Sequence, residues 1–196
     1  MSAFAGATGV LGGTFDPVHL GHLAVARQCL AELQLAEVRL VPSFTPPHRE
    51  APVATAEDRL AMARLAVSGE QGLAVDDVEL RRGGVSYTVD TLRELGESGC
   101  ESLVLLLGYD AALELESWHR AADIPHLAAV VAFNRTDVAR TRRGLPAGTA
   151  VLEVNSPRIS ATEIRRRLAS GLDMSGMLAG PVLAYICERG LYGAGK

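Results

Sequence analysis

The sequence predicts an α/β protein with a doubly wound parallel sheet and helices on both faces. Short apolar runs typical of strands alternate with longer segments whose apolar residues recur at helical spacing. The first unit, residues 9–42, reads as an apolar strand, a glycine pair, an amphipathic helix and a second strand stopped by Pro42. Two strands joined through a helix in this way lie parallel. Because residues 1–196 show no repeat or linker, we expect a single domain.

The later elements follow from the same periodicities. Further strands are predicted at residues 73–80, 102–107, 126–133 and 150–154. Residues 102–107 form the most apolar run, and we expect a central strand that is buried on both faces. Helices are predicted to open near Thr55, Ser86 and Ser160, and a closing helix covers residues 181–189 with Pro181 at its first position.

Composition excludes several classes of function. The net charge of −4 argues against a nucleic-acid partner, and no apolar run reaches membrane-spanning length, so we expect a cytoplasmic protein without a membrane partner. Lys196 is the only lysine, which excludes a P-loop, a pyridoxal Schiff base and a nucleotidyl-lysine. The three cysteines lack metal-binding spacing, and no metal ligand is predicted. A protein of this composition that handles ATP must use histidine, arginine and backbone groups.

Residues 12–22, Gly-Gly-Thr-Phe-Asp-Pro-Val-His-Leu-Gly-His, carry the strongest chemical signal. Glycines allow the backbone to come close to a ligand, and a helix N-terminus offers N–H groups and positive dipole to a phosphate. His19 and His22 are three residues apart, so both imidazoles lie on one face if a helix begins there. The pattern predicts a tight turn between strand and helix that holds and neutralises phosphate.

This string resembles the T/H-x-G-H signature of the nucleotidyltransferase superfamily, and its longer form is similar to that of bacterial nicotinate-nucleotide adenylyltransferases. The resemblance implies a Rossmann-like fold of nucleotidyltransferase type. It also implies a reaction of NAD biosynthesis, in which the adenylyl group of ATP passes to nicotinate mononucleotide to give deamido-NAD and pyrophosphate, with Mg²⁺ as cofactor. It leaves room for a homo-oligomer.

A second motif lies near the end of the chain. Ser160 and Glu163 form a capping box, and Ile-Ser-Ala-Thr-Glu-Ile-Arg resembles the superfamily's I-S-x-T-x-x-R motif. By this resemblance, residues 159–192 supply the phosphate-facing helix and the closing helix. His19 would contact the α-phosphate, His22 the transferring and leaving oxygens, and Arg165 the departing pyrophosphate. These three are the implied catalytic residues.

Three supporting segments complete the implied sites: a loop ending in His48-Arg49, the segment Ser86-Tyr87-Thr88, and Gly-Tyr-Asp followed by a tryptophan. The implied ATP-binding residues are Gly12, Gly13, Thr14, Phe15, His19, His22, Gly108, Asp110, Ser160, Thr162 and Arg165. The implied residues for nicotinate mononucleotide are Thr14, His48, Arg49, Thr88, Trp118 and His119. A flat indole suits a pyridine ring, and the helix start near Thr88 favours an acid over an amide.

Alternatives remain open from the residues alone. Residues 6–12 also fit the G-x-x-G-x-x-G pattern of NAD(P)-binding short-chain reductases, although that pattern needs a strand before Gly6. A nucleotide-binding protein without catalysis would bind ATP and release no pyrophosphate. Within the transferases, phosphopantetheine and nicotinamide mononucleotide are rival acceptors, and Trp118 with Ser86-Tyr87-Thr88 argues against the pantetheine compound.

Overall fold

The computed structural model describes residues 2–47, 51–135 and 144–194, and its strands form one parallel sheet. The strands are β1 (Thr8–Gly13), β2 (Glu37–Pro42), β3 (Leu73–Val75), β4 (Leu103–Gly108), β5 (Ala129–Arg135) and β6 (Ala150–Val154). Their order across the sheet is β3-β2-β1-β4-β5-β6, and each neighbouring pair is parallel. The first three strands are added towards one edge of the sheet and the last three towards the other, so the strand order reverses between β1 and β4. Open sheets of this kind bind ligands at the carboxyl ends of the strands beside that point.

Helices cover both faces of the sheet, as the predicted fold class requires. They are α1 (Leu20–Glu32), α2 (Ala56–Val67), α3 (Val78–Arg82), α4 (Thr88–Glu97), α5 (Tyr109–Leu113), α6 (Ile124–Leu127), α7 (Ala161–Ala169) and α8 (Gly180–Glu188). One core cluster joins the sheet to α1, α2, α7 and α8, and a second joins it to α3, α4, α5 and α6. Within the described ranges, no helix has the length and apolarity to cross a membrane.

The burial of β4 confirms the prediction of a central strand. Leu103, Leu105 and Leu107 belong to one core cluster, while Val104 and Leu106 belong to the other. Successive side chains of a strand point to opposite faces, so the continuous apolar run serves both helix layers.

The glycine pair lies in a strand and not in the predicted turn. Gly12 and Gly13 pair with Val41 and Pro42 at the carboxyl end of β1, and the turn consists of residues 14–18. The strand also includes Thr8 and Gly9, so the glycine pattern of the reductase alternative precedes and enters a strand where it should follow one. The short-chain reductase interpretation is therefore wrong.

Two predicted strand boundaries are also wrong, because a turn or a helix replaces extended chain, and one helix boundary differs by a single residue. The strand predicted at residues 73–80 stops at Val75, and residues 78–82 are helical, with Asp76 accepting the Val78 N–H at 3.0 Å. The strand predicted from His126 begins at Ala129, since α6 occupies the residues before it, and it continues to Arg135. The closing helix begins at Gly180, one residue earlier than predicted.

Candidate active site

A cavity of about 260 Å³ opens at the carboxyl ends of β1, β4 and β5, beside the start of α1. Its wall combines the strand ends, the first turns of α1 and α5, and the segment that leads into α7. The lining residues are Leu11, His19, Gly21, His22, Val25, Gly108, Tyr109, Asp110, Phe133, Asn134, Ser156, Pro157 and Ile159. Four of the implied ATP-binding residues, His19, His22, Gly108 and Asp110, therefore face one space.

The two histidines form a stacked pair at the entrance to α1. Their ring centroids are 3.7 Å apart with 19° between the planes, and Phe15 contacts the His22 ring edge-on at 5.0 Å. Nδ1 of His22 accepts the backbone N–H of His19 at 3.2 Å, which fixes the His22 ring. The two imidazoles lie together as predicted, although His19 precedes the helix as its N-cap with extended backbone and is not part of its first turn. The N–H of Leu20, the first residue of α1, donates to the Met177 carbonyl at 3.0 Å and is therefore not available to a phosphate.

Burial determines the protonation of His19. The residue is 7% exposed, and burial lowers the pKa of its imidazole from 6.5 to about 4. The ring is therefore neutral near pH 7 and offers a hydrogen bond in place of a positive charge. Its Nδ1 is buried and has no hydrogen-bond partner in the described structure.

Gly21 makes room for the buried ring. A Cβ at this position would lie 3.0 Å from His19 Nδ1 and 3.4 Å from the Pro157 carbonyl oxygen. Any side chain here would push against both the imidazole and the segment before α7. The glycine of the His-Leu-Gly-His motif thus serves close packing of the cavity wall.

The residues of the second motif, Ser160, Thr162 and Arg165, lie at the N-cap and in the first turns of α7. Ser160 caps the helix by accepting the Glu163 N–H at 3.2 Å, so the predicted helix start is confirmed. Thr162 accepts from Arg165 Nη2 at 3.3 Å. Nη1 of Arg165 donates to the backbone carbonyl of Asp16 at 2.7 Å, so this guanidinium touches the β1–α1 loop. The three residues lie outside the cavity lining, next to Ile159, which is part of it.

The other implied ATP residues, Gly12 to Phe15, lie at the carboxyl end of β1 and in the loop that leads to α1. Gly12 has open space where a Cβ would stand, whereas a Cβ on Gly13 would lie 2.9 Å from the Phe15 ring. Phe15 is buried, and the carbonyl of Thr14 accepts from Arg59 Nη1 at 2.7 Å. Gly13 therefore lets the chain fold back tightly before α1.

Of the implied mononucleotide residues that the structure describes, Thr88 and His119 lie at the start of α4, whereas Thr14 lies in the β1–α1 loop. Thr88 is the first residue of α4, and the Tyr87 ring stacks on His119 with centroids 4.2 Å apart. Trp118 is half-buried and packs against the second core cluster. His48 and Arg49 lie outside the described residues.

Sequence reasoning missed the buried Arg59, which joins the two loops of the site. It is 1% exposed, and its Nη2 donates to the Phe44 carbonyl at 3.1 Å while Nη1 holds Thr14. Burial lowers the pKa of this guanidinium. An arginine inside the apolar stripe of a predicted helix was the available signal, because arginine is almost never fully buried without partners.

Sequence reasoning also missed a contact that holds part of the cavity wall in place. Gln28 on α1 holds the backbone of Asn155 from both sides, donating to its carbonyl at 2.6 Å and accepting its N–H at 2.7 Å. This bond fixes the segment that supplies Ser156, Pro157 and Ile159 to the wall. Such a contact spans 127 residues of chain and leaves no local pattern.

The carboxylates around the cavity bear on metal binding. In the described ranges, no group of three or more His, Cys, Asp or Glu side chains is placed to hold a metal ion. Among the residues that the structure describes, Asp110 is the only carboxylate in the cavity lining. The site can thus offer one acidic group to a cation that is otherwise held by phosphate oxygens and water.

Comparison with known proteins shows the family to which this chain belongs. The cytidylyltransferase-like family model matches residues 10–167. A probable nicotinate-nucleotide adenylyltransferase of Pseudomonas syringae pv. tomato is 42% identical across 95% of this chain and 93% of its own length. One of Halorhodospira halophila is 42% identical across 94% of each chain.

Solved structures agree on the fold. Plasmodium falciparum nicotinic acid mononucleotide adenylyltransferase, complexed with NaAD, superposes with a TM-score of 0.79 at 17% identity, over 96% of this chain and 98% of that one. A putative nicotinate-nucleotide adenylyltransferase from Vibrio parahaemolyticus gives 0.67 at 18% identity, over 95% of each. The family model and the relatives of 42% identity establish the family: this chain belongs to the cytidylyltransferase-like family and, within it, to the nicotinate-nucleotide adenylyltransferases.

Proposed function

We propose that this protein transfers the adenylyl group of ATP to nicotinate mononucleotide, forming deamido-NAD and releasing pyrophosphate. The observation that carries the proposal is the stacked pair of His19 and His22 in a cavity at the sheet's reversal point. Relatives 42% identical across nearly the whole chain bear the name of this activity.

The chemistry is an in-line displacement at the α-phosphorus of ATP. A phosphate oxygen of the mononucleotide forms a bond to that phosphorus, the bond to the bridging oxygen breaks, and the electron pair leaves with pyrophosphate. No side chain forms a covalent bond, so positioning and electrostatic stabilisation supply the rate. His19, neutral through burial, donates a hydrogen bond to the α-phosphate, and His22 donates to the transferring and leaving oxygens. Arg165 meets the pyrophosphate.

Mg²⁺ fits the site as an ion carried mainly by the nucleotide. Asp110 is the residue that would hold it or one of its waters, because it is the carboxylate of the cavity lining. Bound there, Mg²⁺ would neutralise charge on the phosphates.

The mononucleotide is proposed to bind on the side of α4. Thr88 lies at a helix start, which favours the nicotinate carboxylate over an amide. Trp118 supplies a flat ring for the pyridine, and His119 lies beside Tyr87. Thr14 lies in the β1–α1 loop, where Arg59 holds its carbonyl. His48 and Arg49 are proposed to contact the mononucleotide phosphate through the loop that follows β2.

The remaining expectations about the whole protein belong to the same proposal. We place it in the cytoplasm, where its substrate ATP is made and used. We also propose a single-domain enzyme that needs small-molecule substrates and no nucleic acid, consistent with a net charge of −4.

The test is release of pyrophosphate from ATP and Mg²⁺, with nicotinate mononucleotide, nicotinamide mononucleotide and phosphopantetheine offered in parallel. We expect release with the nicotinate compound and much slower release with the amide. Faster release with the amide or with phosphopantetheine would reassign the acceptor, and binding of ATP without any release would reject the enzyme.

A further inference from the structure

The Asp16 carboxylate is contacted by residues from three parts of the chain. It is 5% exposed and lies three residues before His19. Its Oδ2 accepts the Val53 N–H at 2.8 Å, and its Oδ1 accepts the Ala54 N–H at 3.1 Å and the Tyr192 hydroxyl at 2.7 Å. Arg165 Nη1 lies 3.7 Å from Oδ2 and also donates to the Asp16 backbone carbonyl. Both the backbone and the side chain of Asp16 therefore hold Arg165.

Tyr192 reaches this carboxylate from the C-terminal turn Leu191–Gly193. Burial raises the pKa of its phenol, so the hydroxyl keeps its proton and donates it to Asp16. The same turn packs against α7, where a Cβ on Gly193 would lie 3.5 Å from the Cα of Ala169. The turn thus touches both the helix that carries Arg165 and the carboxylate that faces it.

A guanidinium on a flexible stem needs such fixed partners to meet a substrate group in one geometry. Without the Tyr192 hydroxyl, Asp16 keeps the backbone N–H groups of Val53 and Ala54 but loses the side-chain donor to Oδ1, so the carboxylate is less firmly fixed beside Arg165. We propose that Tyr192 is a positioning residue for the reaction, whose hydroxyl holds Arg165 through Asp16 where the guanidinium meets pyrophosphate. This inference rests on the function proposed above and assigns a task to a residue outside the cavity.

The chain provides a matched control in a second tyrosine–aspartate pair. The Tyr185 hydroxyl donates to Asp58 Oδ1 at 2.8 Å, and Arg189 lies 3.4 Å from the same oxygen. This pair also ties the C-terminal part of the chain to the rest, yet neither partner touches Asp16 or Arg165. Tyr185→Phe and Tyr192→Phe each remove one hydroxyl that donates to a carboxylate.

The experiment measures the reverse reaction, in which deamido-NAD and pyrophosphate give ATP and nicotinate mononucleotide. For Tyr192→Phe we expect the KM for pyrophosphate to rise about tenfold, with the KM for deamido-NAD unchanged. Tyr185→Phe should retain the wild-type KM for pyrophosphate. Because KM does not depend on the fraction of folded enzyme, a loss of stability alone leaves it unmoved. Equal values in the two variants would overturn the inference.

Arg165→Lys separates this inference from the proposed function. If it raises the KM for pyrophosphate while Tyr192→Phe does not, the positioning role fails and the role of Arg165 stands. If Arg165→Lys has the wild-type KM for pyrophosphate, the roles of Arg165 and of Tyr192 both fail. The proposed transferase activity is tested separately, by pyrophosphate release in the forward reaction. In the double variant, Tyr192→Phe should add little to Arg165→Lys, because one acts through the other. Full additivity would contradict the proposal.

Discussion

The cavity side and the mononucleotide side of the site are assembled differently. On the cavity side, Phe15 and His19 both contact the His22 ring, all within eight residues of chain. On the mononucleotide side, distant segments meet through backbone groups: Thr45 pairs with Val85, and the Phe44 N–H donates to Ser86 Oγ at 2.9 Å. The chemical groups are thus fixed locally, while the acceptor site depends on long-range contacts.

Arg59 is the physical connection between the two sides. Its guanidinium binds one carbonyl from each, at Thr14 and at Phe44, and both bonds lie in the interior. Ser86 is in turn bonded to the buried Glu79, whose pKa is raised by burial. The comparison predicts that substitutions on the cavity side change turnover and that substitutions near α4 change acceptor affinity.

The largest effect is expected from His22→Ala. Loss of one preorganised donor should lower kcat about a hundredfold, roughly 3 kcal/mol of transition-state stabilisation. The fold should persist, because His22 is only partly buried. Steady-state pyrophosphate release and thermal unfolding measure the two properties, with the exposed His126→Ala as control. Wild-type turnover in a folded His22→Ala enzyme would remove His22 from the mechanism and weaken the comparison.

The next effect concerns stability and follows from the lowered pKa of His19. The unfolded imidazole titrates near 6.5 and the folded one near 4, so the unfolded chain binds more protons between these pH values. Stability is present above pH 6.5 and is lost as the pH falls towards 4, by about 2 to 3 kcal/mol.

Urea unfolding at several pH values measures this loss, and His19→Gln should flatten the curve between pH 6.5 and 4. Glu79, whose pKa is raised, contributes with the opposite sign in both proteins, so their difference isolates His19. Parallel curves for wild type and His19→Gln would show that the cavity does not hold a neutral imidazole.

The features that could be predicted from the sequence are those set by residues close together in the chain. The short spacing of His19 and His22 indicated that the two rings lie together, and the capping box at Ser160 and Glu163 predicted the start of α7. The apolar run of β4 identified a central strand because both of its faces are buried. Each of these follows from residues close together in the chain.

The rest depended on distant partners. The bond from Tyr192 to Asp16 spans 176 residues, and that from Gln28 to Asn155 spans 127. The end of β3 was missed because Asp76 caps the next turn, a side-chain bond that alternation of apolar residues does not reveal. Burial of Arg59 required knowledge of two carbonyls from separate loops.

The smallest effect, and the sharpest test of the comparison, is expected from Trp118→Leu. Leucine keeps an apolar side chain against the second core cluster, which Trp118 contacts, and removes the flat ring. Ring stacking is worth about 1 kcal/mol, so the KM for nicotinate mononucleotide should rise about fivefold. The KM for ATP should stay at the wild-type value, because Trp118 does not line the cavity. A matching rise in both constants would mean that the two sides respond as one unit, with Arg59 transmitting the change through the carbonyls of Thr14 and Phe44.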